Sequence, residues 1–159
     1  MNHLRIFSKE YWMKKAIEEA LIAKEEGEIP VGAIIIKENR IIAKAHNQVE
    51  QLKDPTAHAE LLAITQASNN LSDWRLEGCT IYATKEPCIM CAGAIRNARI
   101  KEVIIGISDK KEGACISRYE LLRDEKTGYF AHIEHGILEE EIKQIFTDFF
   151  SSLRRKKHS

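Results

Sequence analysis

The sequence has no excess charge of either sign. Lys and Arg together number 24, and so do Asp and Glu, which gives a formal net charge of +0. Net charge therefore gives no indication of a polyanionic partner, and only local basic clusters could bind phosphates. Lys110-Lys111 and Arg154-Arg155-Lys156-Lys157 are such clusters. A basic helix end is as often a solvated surface, so both interpretations of these clusters stay open.

Membrane and secretory signals are also lacking. No apolar stretch approaches the roughly 20 residues that a membrane-spanning helix needs, and Met1-Asn2-His3-Leu4-Arg5 contains no apolar signal segment. The four cysteines include a Cys-x-x-Cys motif, which in a reducing compartment favours metal binding or redox chemistry over a disulfide framework. We therefore expect a cytoplasmic protein without membrane association. A chain of 159 residues is long enough for one domain with its own core, residues 1–159.

Apolar periodicity and chain breakers predict helices and strands along the whole chain. Ser8 is the expected N-cap of the first helix, Glu38-Asn39 the turn of an opening hairpin, and Thr56 the cap of the second helix. Pro87 is expected to open the third helix. The predicted helices are residues 8–27, 57–67, 119–122, 138–153 and a segment starting at 87, and the predicted strands are 29–36, 40–46, 79–84, 101–107 and 131–135. This pattern predicts an α/β fold with helices on both faces of a central sheet.

Two short motifs have the composition of a single metal site. His58-Ala59-Glu60 and Pro87-Cys88-Ile89-Met90-Cys91 offer one imidazole and two thiolates, a donor set that binds zinc. Both motifs fall at predicted helix starts, and Cys88 and Cys91 are neighbours on one helix face. Three protein ligands leave the fourth tetrahedral position to water, which is typical of catalytic zinc. Zinc lowers the pKa of that water to about 7, and Glu60 is then the candidate proton carrier.

Other interpretations of these motifs stay open. The histidine and cysteines could be buried core residues, and a Pro-Cys-x-x-Cys motif alone is equally compatible with thiol redox chemistry. If Cys79 or Cys115 supplied a fourth ligand, the zinc site would be closed and structural. Cys79 begins an apolar strand and is better explained as a core residue. Glu60 could likewise be a solvent-facing charge of its helix.

Beyond these two motifs the chain resembles the family of bacterial tRNA adenosine deaminases, a branch of the zinc-dependent nucleobase deaminases. The resemblance covers nearly the whole chain. It is carried by Glu10-Tyr11-Trp12-Met13, Ile29-Pro30-Val31-Gly32-Ala33, Asp54-Pro55-Thr56-Ala57-His58-Ala59-Glu60, Glu86-Pro87-Cys88-Ile89-Met90-Cys91-Ala92-Gly93-Ala94 and Asp148-Phe149-Phe150. It implies a three-layer α/β/α cytidine-deaminase-like fold with a central mixed five-stranded sheet, and a homodimer with one Zn²⁺ per subunit. The implied reaction is hydrolytic deamination of the wobble adenosine to inosine in the anticodon loop of an arginine tRNA.

The resemblance also implies roles for the motif residues. His58, Cys88 and Cys91 would bind the zinc ion, and a zinc-bound hydroxide would attack C6 of adenine. Glu60 would protonate N1 and later the departing amine. Because the bases of an anticodon loop are already unpaired, extruding the target nucleotide would cost little.

Four further residues would contact the substrate if the resemblance holds. Asn47 would hydrogen-bond the flipped nucleotide, and Asp109 would hold its sugar or a neighbouring one. Phe150 and Arg154 would contact the anticodon loop from the last helix. From the residues alone, Asn47 and Asp109 are equally turn formers, Phe150 fits a core position, and Arg154 fits a solvated helix end.

The chain departs from this family at three places. Cys115-Ile116-Ser117 replaces a common Gly-Ser step, and Gly128-Tyr129-Phe130 replaces an Asn-His pair. Lys85 stands where an apolar residue is common, and the sequence gives no role for it. Since the first two changes lie outside the expected zinc ligands, they put tRNA contacts and loop shape in question more than catalysis.

Two rival functions share some of these features. A deaminase of a free base or nucleoside, such as cytosine or guanine, would carry both signature motifs, but the matches near both ends of the chain argue against it. A non-catalytic, zinc-stabilised RNA-binding module would need no proton carrier, so the presence of Glu60 argues against that reading.

Overall fold

A mixed five-stranded sheet is the centre of the computed structural model, which describes residues 7–157. The elements in chain order are α1 (Lys9–Glu25), β1 (Gly32–Lys37), β2 (Arg40–His46), α2 (Val49–Leu52), α3 (Ala59–Leu71), β3 (Thr80–Lys85), α4 (Ile89–Asn97), β4 (Glu102–Ile107), β5 (Arg123–Asp124), β6 (Tyr129–Phe130), β7 (His132–Glu134) and α5 (Glu139–Lys157). The strand order is β2-β1-β3-β4-β7. Strand β1 runs antiparallel to β2 and β3, whereas β3, β4 and β7 are parallel. The predicted α/β class with a mixed five-stranded sheet is confirmed.

Local signals in the sequence explain the first elements. The Ser8 hydroxyl caps α1 by accepting a hydrogen bond from the Tyr11 N–H at 3.0 Å. Glu38 and Asn39 both have positive φ, 50° and 60°, and Lys37 pairs directly with Arg40 across the turn. This two-residue turn matches the twist of the strands, so the predicted hairpin forms as expected.

Two apolar clusters lie on opposite faces of the sheet, which gives the three predicted layers. Alternate residues of β1 divide between them, because Ala33 and Ile35 face α3 and α4 while Ile34 faces α1 and α5. Gly32 permits close contact between β1 and α1, because a Cβ on it would lie 2.1 Å from the Ala16 carbonyl oxygen. Within the described residues, no helix has the length and apolar character needed to cross a membrane.

Several predicted boundaries were wrong by one to three residues. Strand β1 begins at Gly32 rather than at residue 29, because the chain first turns through a Val31 N–H to Ile29 carbonyl contact of 2.8 Å. Thr56 does not cap α3, because its own N–H and hydroxyl both donate to the Asp54 carboxylate, and the helix begins after His58. Likewise α4 begins after Cys88 rather than at Pro87.

The region between β4 and α5 differs most from expectation. No helix forms over residues 119–122, because the N–H groups of Arg118 and Tyr119 both donate to the Gly113 carbonyl and hold the chain in turns. The small β5-β6 hairpin and the short helix α2 were not predicted. The predicted strand 131–135 is present as β7.

Candidate active site

Two helix starts bring one histidine and two cysteines together. His58 is the N-cap of α3 and Cys88 the N-cap of α4, and neither side chain is used for capping. Cys91 lies one turn further along α4, and its thiol contacts that of Cys88. The sulfurs of Cys88 and Cys91 are 3.7 and 3.5 Å from His58 Nδ1. Within the described residues these three form a group whose ligand atoms all lie within 4.8 Å of one another.

The spacing of these donor atoms fits a tetrahedral metal ion. With Zn–S bonds of about 2.3 Å and Zn–N bonds of about 2.0–2.1 Å, a tetrahedral angle separates sulfur from nitrogen by about 3.5 Å. The observed separations of 3.7 and 3.5 Å agree with that value. Cys79 and Cys115 are both buried but do not belong to the group. The three donors could therefore hold a zinc ion with one coordination position left for another ligand.

The three donors already influence each other's protonation. A hydrogen bond from Cys91, together with one from His58, lowers the pKa of the Cys88 thiol to about 3. The same contact with Cys88 raises the pKa of His58. Cys88 is thus held as a thiolate, which is the form that binds a metal.

Glu60 occupies the first turn of α3 with its side chain inside the protein. It is 4% exposed, and its Oε1 has no hydrogen-bond partner among the described residues. Burial raises the pKa of this carboxyl group, although its backbone hydrogen bond and the nearby His58 oppose the rise. An unpartnered buried carboxylate oxygen is unusual and calls for a ligand or a water molecule. Glu60 is therefore not the solvent-facing helix charge that one interpretation of the sequence allowed.

A pocket of about 280 Å³ opens beside these residues. Strands β2, β3 and β4 all end at this edge of the sheet, so the residues that follow them converge there. The pocket is lined by Ile29, Val31, Asn47, His58, Ala59, Glu60, Lys85, Glu86, Cys88, Asp109 and Glu112. Pockets for drug-sized ligands are typically about 300–1,000 Å³. A volume just below that range suits one small group, such as a single nucleobase.

Asn47 and Asp109 line this pocket and also act as turn formers. The Asn47 amide donates to the Ile29 carbonyl at 3.3 Å, and its oxygen accepts from the Val49 N–H at 3.3 Å. Asp109 Oδ1 accepts from the N–H groups of Lys111 and Glu112 at 3.0 and 3.2 Å. Both interpretations of these two residues are thus compatible with their positions.

Phe150 and Arg154 are not among the residues that line the pocket. Phe150 is 41% exposed on α5, whereas its neighbour Phe149 is buried at 5% and takes the core position. The interpretation of Phe150 as a core residue was therefore wrong. Arg154 lies exposed near the end of α5, where its guanidinium donates to the Ser151 hydroxyl at 3.3 Å.

Glu86 was not singled out from the sequence, although it is 3% exposed and lines the pocket. Its carboxylate accepts hydrogen bonds from the N–H groups of Asp109, Cys115, Ile116 and Ser117 and from the Ser117 hydroxyl. Gly113 is required beside it, because a Cβ there would lie 2.4 Å from the carboxyl group. Glu86 therefore fixes the loop that follows β4. The sequence signal that could have indicated this role is the position of Glu86, a charged residue between the buried strand β3 and Pro87.

Replacing Glu86 with alanine should strongly destabilise the protein. The substitution leaves several buried or half-buried N–H groups without an acceptor, at about 1–3 kcal/mol each, so we expect the free energy of unfolding to fall by about 3 kcal/mol or more. Urea denaturation measures this change. Glu77→Ala is the control, because Glu77 is exposed in a surface ion pair with Arg99, and it should change the free energy by less than about 1 kcal/mol. Equal stability of the two variants would contradict this role.

The stabilising contribution of Glu86 should also depend on pH. Burial raises its pKa, but the N–H groups of Ile116 and Ser117 and the Ser117 hydroxyl outweigh that effect and lower the pKa below the ordinary value of 4.5. Stabilisation is therefore complete above pH 4.5 and is lost as the pH falls through the lower folded pKa. Urea denaturation between pH 5 and pH 3 should show a steeper loss for the wild type than for Glu86→Gln.

The arrangement of one histidine, two cysteines and a buried glutamate at two helix starts is typical of nucleobase deaminases, which bind zinc through such a donor set. The sequence profile of the MafB19-like deaminase family matches residues 7–154. The chain is 49% identical to the tRNA-specific adenosine deaminase of Aquifex aeolicus, over 92% of this chain and 96% of that protein. It is 45% identical to the Bacillus subtilis protein of the same name, over 93% and 92%. The chain therefore belongs to the deaminase family of the tRNA-specific adenosine deaminases.

A solved structure agrees with this assignment. A tRNA:A34 deaminase, studied for A-to-I editing at the wobble position of transfer RNA, superimposes with a TM-score of 0.81 at 37% identity. The match covers 85% of this chain and 98% of that one. The predicted cytidine-deaminase-like fold and the resemblance to this family are therefore confirmed.

Proposed function

We propose that this chain converts the wobble adenosine of an arginine tRNA to inosine by hydrolytic deamination, with one zinc ion bound by His58, Cys88 and Cys91. The observation that carries the proposal is the unpartnered, buried Oε1 of Glu60 beside that donor group in a base-sized pocket. Relatives named tRNA-specific adenosine deaminase support the choice of substrate. The match of the MafB19-like deaminase profile to residues 7–154 also supports treating the whole chain as one deaminase domain.

In the proposed reaction, the metal site activates a water molecule and Glu60 transfers protons. Zinc, when bound, supplies a water molecule whose pKa is lowered to about 7. Glu60 accepts a proton from that water at its free carboxylate oxygen, which leaves the water oxygen to form a bond to C6 of adenine. Glu60 delivers that proton to N1 as the C6–O bond forms, then accepts the proton of the new C6 hydroxyl group and passes it to the exocyclic amine. The C6–N bond breaks, C6 becomes a carbonyl and ammonia leaves. Water and adenosine are thereby converted to ammonia and inosine.

The surrounding residues are proposed to hold the nucleotide. Asn47 follows β2 and Asp109 lies just after β4; both line the pocket and have polar atoms for the base and the sugar. Phe150 and Arg154 lie on the exposed side of α5, where an aromatic ring could stack on an unpaired base and a guanidinium could bind a phosphate. An RNA substrate also favours the cytoplasmic location expected from the cysteine usage.

A second copy of the chain is proposed as a partner. Between α3 and α4 lies a groove with apolar residues, among them Leu61, Leu62 and Ile64, and the 53%-exposed Trp74 lies at this groove. Exposed apolar surface of this kind is typical of subunit interfaces. Analytical ultracentrifugation should give twice the chain mass of 18.2 kDa, and a species of the single chain mass would contradict the dimer.

A direct assay separates the proposed function from its rivals. The purified, zinc-loaded protein is incubated with an arginine tRNA transcript, and separately with free adenosine, guanine and cytosine. We expect inosine at the wobble position of the tRNA, detected as an adenosine-to-guanosine change on sequencing. Ammonia release from a free base alone would identify a base deaminase instead. RNA binding without turnover would identify a non-catalytic module.

Replacing Phe150 with alanine should weaken RNA recognition. If the ring stacks on a base of the anticodon loop, its loss removes about 1–3 kcal/mol, and KM for the tRNA should rise about 5- to 100-fold with little change in kcat. Leu153→Ala is the matched control, because Leu153 is 39% exposed on the same helix and has no aromatic ring. An equal rise in KM for both variants would show a general effect on α5 rather than stacking.

A further inference from the structure

One lysine provides positive charge in a pocket otherwise rich in carboxylates. Glu60, Glu86, Asp109 and Glu112 line it, and Lys85 is the one Lys or Arg among the described lining residues. An RNA nucleotide that inserts its base here brings its own phosphate to the pocket mouth. The carboxylates would repel this phosphate, whereas the charge of Lys85 would attract it.

Two contacts position the Lys85 ammonium group. Its Nζ lies 3.1 Å from Asp109 Oδ2, and it stands 5.9 Å from the centre of the Phe146 ring. The Lys85 side chain is 32% exposed, whereas that of Asp109 is only 13% exposed. An ammonium group has three N–H donors, and the Asp109 contact needs one of them. Lys85 is thus positioned by Asp109 while part of its donor capacity still faces solvent.

Asp109 is fixed independently of this ion pair. Its Oδ1 accepts from two backbone N–H groups, and its own N–H donates to Glu86 Oε1 at 3.1 Å. The carboxylate therefore offers Lys85 a rigid partner, so the ammonium need not become ordered when a ligand arrives. A preorganised cation binds an anion at a lower entropic cost than a flexible one.

We propose that Lys85 contacts a phosphate group flanking the nucleotide whose base enters the pocket, and that this contact makes the site prefer RNA over free nucleosides and bases. The inference rests on the proposed RNA substrate. It assigns a binding role to Lys85, for which the sequence alone gave none, and it explains why this lysine is placed beside Asp109.

The test combines a modified RNA substrate with Lys85→Met, which keeps most of the length of the side chain and removes its charge. A short anticodon stem-loop is made in two forms, one natural and one with neutral methylphosphonates on both sides of the target adenosine. On natural RNA, loss of one charge-assisted hydrogen bond should raise KM by about 10- to 100-fold. On the neutral RNA, Lys85→Met should have no further effect, because the partner phosphate charge is already gone.

Salt dependence provides a second measurement. One lost phosphate contact should make the slope of log affinity against log salt shallower by about 0.7, the value for single strands. Binding is followed by fluorescence anisotropy in a Glu60→Gln background, so that no substrate is converted. Lys85→Arg should retain most of the slope. Asp109→Asn should also retain the salt slope. The double variant with Asp109→Asn and Lys85→Met should still have a shallower salt slope.

The matched control is Lys15→Met. Lys15 is 35% exposed, pairs with Glu18 at 3.6 Å and lies 5.5 Å from the Tyr11 ring, so its surroundings resemble those of Lys85 away from the pocket. The Lys15→Met substitution should leave KM and the salt slope unchanged. An equal loss on natural and neutral RNA would overturn the inference and leave Lys85 as a residue that only orients Asp109. Absence of turnover by the wild type would contradict the proposed function instead, and the binding measurement would still test the phosphate contact.

Discussion

Replacing Glu60 with alanine or glutamine should reduce turnover by at least about 100-fold, and by up to about 10,000-fold, while zinc content and RNA affinity stay near those of the wild type. Positioned proton transfer commonly contributes about 10²–10⁴-fold, and Glu60 is proposed to act in more than one transfer. Glutamine nearly preserves the size of the side chain, so its effect isolates the lost proton from any loss of packing. Single-turnover rates on the tRNA transcript measure this effect.

The control for this change is a second buried glutamate. Glu19 is 7% exposed, pairs with His46 and does not belong to the residues that line the pocket. Glu19→Gln should therefore alter stability more than turnover. Metal analysis of each variant confirms that the zinc site has survived. A Glu60→Gln protein with wild-type turnover would show that another group carries the proton.

Replacing Cys91 with alanine should abolish both metal binding and turnover. Cys91 is fully buried and its sulfur is 3.5 Å from His58 Nδ1, so its loss removes one of three donors and leaves a pair that holds zinc weakly. We expect zinc content to fall from about one ion per chain to near zero, and turnover to fall at least about 1,000-fold. Chelator treatment of the wild type should give the same loss, and added zinc should reverse it.

Controls exist among the other two cysteines. Cys79 and Cys115 are buried at 3% and 0% exposure outside the donor group, so Cys79→Ala and Cys115→Ala should keep their zinc. The apolar clusters on both faces of the sheet do not depend on the donor group, so far-UV circular dichroism should change little in Cys91→Ala. Loss of zinc from Cys115→Ala would indicate a third sulfur ligand, which would make the site closed and structural.

Short-range signals in the sequence were sufficient for most of the fold. The Ser8 cap and the Glu38-Asn39 turn depend on residues within a few positions of each other. Strands β1, β3 and β4 are recognisable as continuous runs of mostly apolar residues. The helix starts were less predictable, since Thr56 is a good cap by type but is already engaged by Asp54. Residue preference alone does not show such competition.

Contacts between distant residues explain what the sequence did not reveal. Helix α2 is too short to be stable by itself, and the buried Glu28, 22 residues earlier, accepts hydrogen bonds from its Glu50 and Gln51 N–H groups. Glu86 reaches donors 23 to 31 residues away, and Lys85 pairs with a carboxylate in the same distant loop. These contacts form only when the fold places β3 and β4 side by side, so the local sequence does not indicate them.

The N-cap positions of His58 and Cys88 limit where this fold can change in length. Adding one residue within the first turn of either helix would rotate the donor by about 100° and shift it by about 1.5 Å relative to the packed part of the helix, which would separate it from its partners. At the far ends, after Leu71 and Asn97, insertions would leave the donor atoms where they are. Engineered insertions should therefore be placed at the opposite rim of the molecule, where the chain can be lengthened without disturbing the chemistry.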